Sequence, residues 1–174
     1  MDVSCRVLFH FVGLLEDIYY NFHPNTLIIF ITNSEICDFF YISLKKKMMN
    51  ISKVVVIGSG TMGSGIAAQV ANAGLQVHLL DLTKDIAIGA CERIKNSRPP
   101  LLMEDDCLTK IIPGSIENDI DKIKEADWVV EAVVERIDIK KSIYSKIDNL
   151  RKPGALVSSN TSSIPLKVLT EDMS

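Results

Sequence analysis

Three glycines with a fixed spacing are the residues of this sequence most suited to chemistry. Gly58, Gly60 and Gly63 form the pattern Gly-x-Gly-x-x-Gly directly after the apolar run Lys53–Ile57. In such a turn the first glycine allows a tight bend, the second lets a diphosphate approach the backbone, and the third lets a helix pack closely on a strand. Free N–H groups at the start of that helix would hold the negative charge. The predicted cofactor contacts of this turn are Gly58, Gly60, Thr61, Met62 and Gly63.

Asp81 is the acidic residue that such a turn requires further along the chain. It lies 18 positions after Gly63 and ends the next apolar run, whereas glycine turns of purely structural origin need no acid there. Its carboxylate can accept hydrogen bonds from ribose hydroxyls and would repel a 2′-phosphate, which favours NAD over NADP. Lys84 is close enough in sequence to weaken this discrimination. The alternative is that Asp81 only begins a turn or caps the following helix.

Strand and helix patterns alternate from residue 53 onward. The predicted strands are Lys53–Ile57, Gln76–Asp81, Lys110–Ile112, Trp128–Val134 and Ala155–Ser158. The predicted helices are Thr61–Ala73, Asp85–Lys95, Asp119–Lys124 and Ile137–Leu150. This alternation predicts an α/β fold, a Rossmann-type doubly wound parallel sheet that is incomplete at its C-terminus.

The first 48 residues differ in composition from the rest of the chain. All six phenylalanines lie at or before Phe40, and no sustained period appears, although the run Leu27–Ile31 is compatible with a strand. This segment could be an accessory element, an extension that contacts lipid or a partner, or sequence upstream of the true start codon at Met48 or Met49. We favour the last interpretation and leave a real extension open. The predicted division is therefore 1–48 for the extension and 49–174 for the NAD-binding domain.

Composition excludes several classes of function. The net charge of −3 argues against a nucleic-acid partner, because a phosphate-binding face needs a basic excess. The four cysteines and three histidines are scattered, so no metal site is expected. No run is long enough for a membrane helix, and the N-terminus lacks the features of a signal peptide. We therefore expect a cytoplasmic protein with neither a metal nor a membrane span.

Two further motifs carry a resemblance to a known family. They are Ala126-Asp-Trp-Val-Val-Glu-Ala-Val-Val-Glu135 and Ser158-Ser-Asn-Thr-Ser-Ser163. Together with the glycine turn, and in this order, they resemble the NAD-binding half of the 3-hydroxyacyl-CoA dehydrogenases of fatty-acid β-oxidation. The turn Arg151–Gly154 and the segment Pro99–Leu101 are similar to those of the large bacterial members.

The resemblance implies roles for four residues in these motifs. Glu135 would contact the nicotinamide side of NAD, and Lys140 would help to hold it. Ser162 would hydrogen-bond the 3-oxygen of an acyl-CoA substrate, and Asn160 belongs to the same loop at a strand end. The implied reaction oxidises an (S)-3-hydroxyacyl-CoA to the 3-ketoacyl-CoA. If Glu135 and Lys140 stood alone, surface charge on a helix would be the simpler interpretation. The three motifs in the family's order favour a cofactor role instead.

The family's general base is missing from this sequence. In the family a histidine follows the serine loop, whereas no histidine follows His78 here. The resemblance therefore implies a truncated member, inactive alone, whose C-terminal domain is separately encoded or lost: a fragment, a split-gene product or a decayed frame. Two alternatives stay open, a non-catalytic NAD-binding module and another Rossmann hydroxyacid dehydrogenase. The serine loop favours the acyl-CoA family over the second of these.

Overall fold

A seven-stranded sheet forms the centre of the molecule. The computed structural model describes residues 20–23, 26–30, 51–171 and 173. The strand order is β1-β2-β7-β6-β3-β4-β5. The strands are β1 (Tyr20–His23), β2 (Thr26–Phe30), β3 (Lys53–Ile57), β4 (Gln76–Asp81), β5 (Ile111–Ser115), β6 (Trp128–Glu131) and β7 (Leu156–Ser159). All neighbours pair in parallel except β1 and β2, which form an antiparallel hairpin.

Helices cover both faces of the sheet. They are α1 (Thr61–Asn72), α2 (Lys84–Lys95), α3 (Ile116–Asp119), α4 (Ile137–Leu150) and α5 (Leu166–Leu169), with 3-10 helices at Asp105–Lys110 and Ile120–Glu125. Val54 and Val56 of β3 pack with α1 and α2, whereas Val55 and Ile57 pack with α4 on the other face. Alternate residues of one strand thus enter two separate cores, which explains why the strand is apolar from Val54 to Ile57.

The structure confirms the predicted Rossmann-type α/β class and most of its elements. Helix α4 has the predicted bounds. Strand β5 continues through Pro113 and Gly114, which sequence reading had placed after its end; it lies at the edge of the sheet, where proline is tolerated. Strand β6 ends at Glu131 rather than Val134, because the chain leaves the sheet there to form a loop. The predicted helix Asp119–Lys124 is the α3 helix followed by a 3-10 turn.

The β1–β2 hairpin adds to the sheet beside β7. Ile28, Ile29 and Phe30 pair in parallel with Val157, Ser158 and Ser159. Strand β2 overlaps the apolar run noted in the sequence. The predicted boundary at Met48 and Met49 lies outside the described residues, and the division at that point stays a prediction.

A chain beginning at Met49 should melt at or above the temperature of the full chain. The described members of both core clusters lie between Ile51 and Met173, so this truncation retains them. Calorimetry of the two chains measures the difference. As a reference, Ile57→Ala in the full chain should cost about 2–5 kcal/mol, because it removes buried methyl groups. A loss of that size on truncation would show that the hairpin contributes to the fold.

Candidate functional site

The strand register brings four loops to one edge of the sheet. Ile57 pairs with Leu80 on one side and with Glu131 on the other, and Glu131 pairs in turn with Ser159. These residues stand at or next to the carboxyl ends of β3, β4, β6 and β7. Open parallel sheets bind ligands at this edge. The glycine turn, Asp81, Glu135 and the serine loop therefore face a common site.

Two of the three glycines are required by close backbone contacts. Gly58 has a φ of 100°, and a Cβ atom on it would lie 2.5 Å from the Ala132 carbonyl oxygen. A Cβ atom on Gly63 would overlap the carbonyl oxygen of Gly58. The turn is closed further by the Gly58 N–H, which donates to the Leu80 carbonyl at 2.7 Å. These contacts fix how the turn sits on β3, β4 and the loop after β6.

Gly60 differs from the other two because its missing side chain faces open space. A Cβ atom there would meet no atom within 4 Å. Gly60 caps α1 without a side-chain hydrogen bond, and the first turn carries no acidic residue. Thr61 and Met62, which follow it, are exposed. The free helix N-terminus and this open space fit a diphosphate group approaching the backbone, as NAD requires.

Asp81 already binds the glycine turn through a residue that sequence reasoning missed. One of its carboxylate oxygens accepts hydrogen bonds from the backbone N–H and the hydroxyl of Ser59, each at 2.6 Å. The other accepts from the Leu82 N–H at 2.7 Å. A carboxylate has about four acceptor positions, so one remains for a ribose hydroxyl. Asp81 thus positions the turn as well as facing the site.

The carbonyl group of Ser59 is held in place as well. Its carbonyl oxygen accepts from the Ser64 hydroxyl at 2.9 Å and from the Arg93 guanidinium at 3.0 Å. Its side chain is buried. The motif leaves the middle position of Gly-Ser-Gly unspecified, so the spacing of the glycines cannot predict a role for Ser59 or for Arg93 on α2.

A buried cluster of charges lies at the end of β6. Lys140 on α4 donates to both oxygens of Glu131, at 2.8 and 3.0 Å, and pairs with Glu135 at 3.1 Å. The side chains of Lys140 and Glu131 are 0% exposed. Breaking a buried pair by removing one partner typically costs about 3–5 kcal/mol, because the other charge is left unpaired. Glu131 was not predicted as a site residue, because the predicted strand Trp128–Val134 places it in the middle of the strand.

Glu135 connects the loop after β6 to the serine loop. One carboxylate oxygen accepts from the Thr161 hydroxyl, from the Ser162 and Ser163 N–H groups and from the Ser163 hydroxyl, at 2.5 to 3.2 Å. Partial burial raises the pKa of this carboxyl, but hydrogen bonds from Thr161, Ser163 and Lys140 outweigh burial and lower the pKa to about 2. Glu135 is therefore ionised at any physiological pH.

The two remaining predicted residues follow β7. The backbone N–H of Asn160 donates to the Glu131 carbonyl at 2.7 Å, so the loop begins in contact with β6. Ser162 is exposed at the carboxyl edge. The structure thus brings every predicted site residue to the same edge, except that Lys140 lies beneath it. The contacts of these residues with cofactor or substrate stay predictions.

His78 lies away from this edge. It is the third residue of β4 and pairs with Val55 and Ile112, three residues before Asp81. Burial and the nearby Lys122 charge lower its pKa. Among the described residues there is no group of three or more His, Cys, Asp or Glu side chains that could hold a metal ion. The same part of the chain contains no helix with the length and apolar character of a membrane span.

Comparison with known proteins agrees with this geometry. Residues 53–174 match the sequence profile described as "3-hydroxyacyl-CoA dehydrogenase, NAD binding domain". The chain belongs to the 3-hydroxyacyl-CoA dehydrogenase family. It is 40% identical over 133 residues to a probable 3-hydroxyacyl-CoA dehydrogenase of Deinococcus radiodurans. It is 43% identical over 130 residues to a putative fatty acid oxidation complex trifunctional enzyme of Rickettsia felis.

A solved structure of the family shares the fold. The crystal structure of 3-hydroxybutyryl-CoA dehydrogenase from Escherichia coli K12 superposes with a TM-score of 0.64 at 35% identity, over 72% of this chain and 28% of that one. The aligned part is 72% of this chain and 38% of the Deinococcus protein, and 71% of this chain and 18% of the Rickettsia protein. The chain thus spans well under two thirds of these relatives' length. The prediction of NAD as cofactor is confirmed by the matched domain.

Replacing Glu135 with glutamine should destabilise the protein more at pH 7 than at pH 3. A pKa lowered to about 2 in the folded chain, against an ordinary value of 4.5, contributes stability above pH 4.5 that is lost as the pH falls toward 2. Urea unfolding at both pH values measures the difference between wild type and Glu135→Gln. Glu92→Gln, at an exposed position of α2, is the control. If Glu135→Gln lowers the free energy of unfolding equally at both pH values, the lowered pKa of Glu135 is contradicted.

Proposed function

We propose that this chain supplies the NAD site for oxidation of an (S)-3-hydroxyacyl-CoA to the 3-ketoacyl-CoA, as in fatty-acid β-oxidation. The observation that carries the proposal is the strand register, which places the glycine turn, Asp81 and the serine loop at one carboxyl edge. The names of the relatives from Deinococcus and Rickettsia support the substrate class. An NAD-binding module without catalysis is the alternative.

Each group of the site has a defined task in this reaction. The N-terminus of α1 binds the diphosphate, and Asp81 accepts from the adenosine ribose. NAD, when bound, accepts the hydride that leaves C3 of the substrate. The exposed Ser162 hydroxyl donates a hydrogen bond to the 3-oxygen and orients it. Glu135 fixes the backbone of Ser162. It would also contact the nicotinamide side of NAD.

The hydroxyl proton of the substrate must leave as the hydride departs, so that C3–OH becomes a carbonyl. A base with a pKa near neutral must take this proton within hydrogen-bond reach. In the part of the chain described from residue 51 onward, the histidine is His78, in the middle of β4 and away from Ser162. An unactivated serine hydroxyl is too weak a base. We therefore propose that the base lies outside the described residues, either further along the polypeptide or on a second protein in the cytoplasm.

The first test concerns Asp81 and the cofactor. Asp81→Ala should weaken NADH binding by roughly 1.5–3 kcal/mol and narrow the gap to NADPH, because a hydrogen bond to a charged acceptor is lost. Since Asp81 also holds Ser59, Ser59→Ala is the matched control, which removes one hydrogen bond to the carboxylate and leaves the charge. Fluorescence titration measures the affinity of each variant for NADH and for NADPH. Unchanged NADH affinity in Asp81→Ala would show that Asp81 supports the turn and does not contact the cofactor.

The second test is turnover. The purified chain should bind NADH and yet form no NADH from NAD and (S)-3-hydroxybutyryl-CoA, because the described part of the site lacks a base. Absorbance at the NADH band measures the product. Turnover by the chain alone would refute the need for a second domain. Turnover only after addition of a separately expressed C-terminal domain of a relative would support a split enzyme, and its loss in Ser162→Ala would support the role of Ser162.

A further inference from the structure

We propose that Glu131 and Lys140 are positioning residues that hold the loop Ser159–Ser163 in place from beneath the site. This inference rests on the proposed function, because the loop carries Ser162. Lys140 acts on the serine loop through Glu135. Neither residue reacts; both fix the loop whose Ser162 hydroxyl would orient the substrate.

Glu131 anchors the start of the loop. Its carboxylate is fully buried and accepts from the Ser159 hydroxyl at 2.6 Å, from the Val133 N–H at 2.8 Å and from Lys140. Its backbone carbonyl accepts from the Asn160 N–H. One residue thus binds both Ser159 and Asn160, at the point where the chain leaves the sheet.

Glu135 anchors the other end of the loop. It accepts hydrogen bonds from the hydroxyl of Thr161 and the backbone N–H groups of Ser162 and Ser163. The Glu131 carboxylate therefore binds the residue before Asn160, and the Glu135 carboxylate binds the residues after it. One anchor comes from β6 and the other from the loop after β6, so the serine loop is held by this part of the chain.

Lys140 is what allows two carboxylates to stand so close together. Its ammonium group lies within 3.1 Å of both Glu131 and Glu135. Without this cation, two negative charges would face each other in a largely buried site, which is strongly unfavourable. The side chain of Lys140 is 0% exposed, so a molecule entering from solvent meets Glu135 and not Lys140.

Tyr144 and Ser159 extend this cluster toward the core. Tyr144 follows Lys140 by one helical turn, and its hydroxyl is buried without a partner of hydrogen-bond geometry among the described residues. Burial raises the pKa of Tyr144, and the nearby Ser159 hydroxyl opposes the rise. The hydroxyl stays neutral and adds no charge. Lys140 contacts both carboxylates directly.

The deciding variant replaces both members of the buried pair, Glu131→Met with Lys140→Met. Replacing a buried ion pair by apolar residues of similar size is often neutral for stability, whereas removing one charge is not. Hydrogen–deuterium exchange by NMR then reports each amide separately. We expect exchange at Ser162 and Ser163 to become at least tenfold faster, while amides of β3 and β4 stay within about twofold of wild type. Lys146→Met, at an exposed position of the same helix, is the control and should change neither.

Two outcomes of this experiment would overturn the proposal. One is a folded double variant whose Ser162 and Ser163 amides remain protected as in wild type. The other is faster exchange spread equally over the loop and the sheet, which would indicate a merely structural role. Ser159→Ala is the second variant if the double variant does not fold. It keeps both charges and should still speed exchange at Asn160, and unchanged exchange there would also refute the proposal.

The readout separates this proposal from the proposed function. Exchange is measured on the full chain without cofactor, so it does not depend on NADH binding or turnover. If the loop loses protection but the wild-type chain binds no NADH, the positioning role stands and the cofactor proposal fails. If NADH binds and the loop is unaffected, the cofactor proposal stands and the positioning role fails.

Discussion

The parallel register of four strands is the constraint on which the site depends. Because β3 pairs with both β4 and β6, and β6 with β7, their carboxyl ends align along one edge. Each strand delivers one loop to that edge, and each loop carries a different part of the site. Residues separated by about a hundred positions, such as Gly58 and Ser162, come to lie at the same edge of the sheet for this reason.

Within that frame, backbone packing and buried charge hold different halves of the site. The half that carries the glycine turn is held by backbone contacts, since Gly58 and Gly63 leave no room for a Cβ atom beside Ala132 and the turn itself. The half that carries the serine loop is held by Lys140 between two carboxylates. A helix N-terminus can bind a diphosphate through its N–H groups, whereas a loop that presents one hydroxyl needs fixed anchors on both sides.

Each half is also held by a residue to which the sequence analysis assigned no role. Ser59 binds Asp81 with two hydrogen bonds and is itself held by Ser64 and Arg93. Glu131 binds Ser159 and Lys140. A net contribution of about 0.5–1.5 kcal/mol per ordinary hydrogen bond makes each contact modest, but several on one residue restrict it to one position.

The sequence by itself determined the fold class, the glycine turn and the family. Periodicity of apolar residues reports burial directly, and glycines at fixed spacing report close backbone approach, so both can be read without coordinates. The bounds of α4 were predicted correctly for this reason, whereas the end of β6 was not, since Ala132 to Val134 are as apolar as the strand before them. Only the tertiary structure decided that Glu131 is a buried anchor, that Ser59 holds Asp81 and that Lys140 lies beneath the site. These roles depend on contacts between side chains of strands and helices that are far apart in sequence. The local spacing of residues does not predict such contacts.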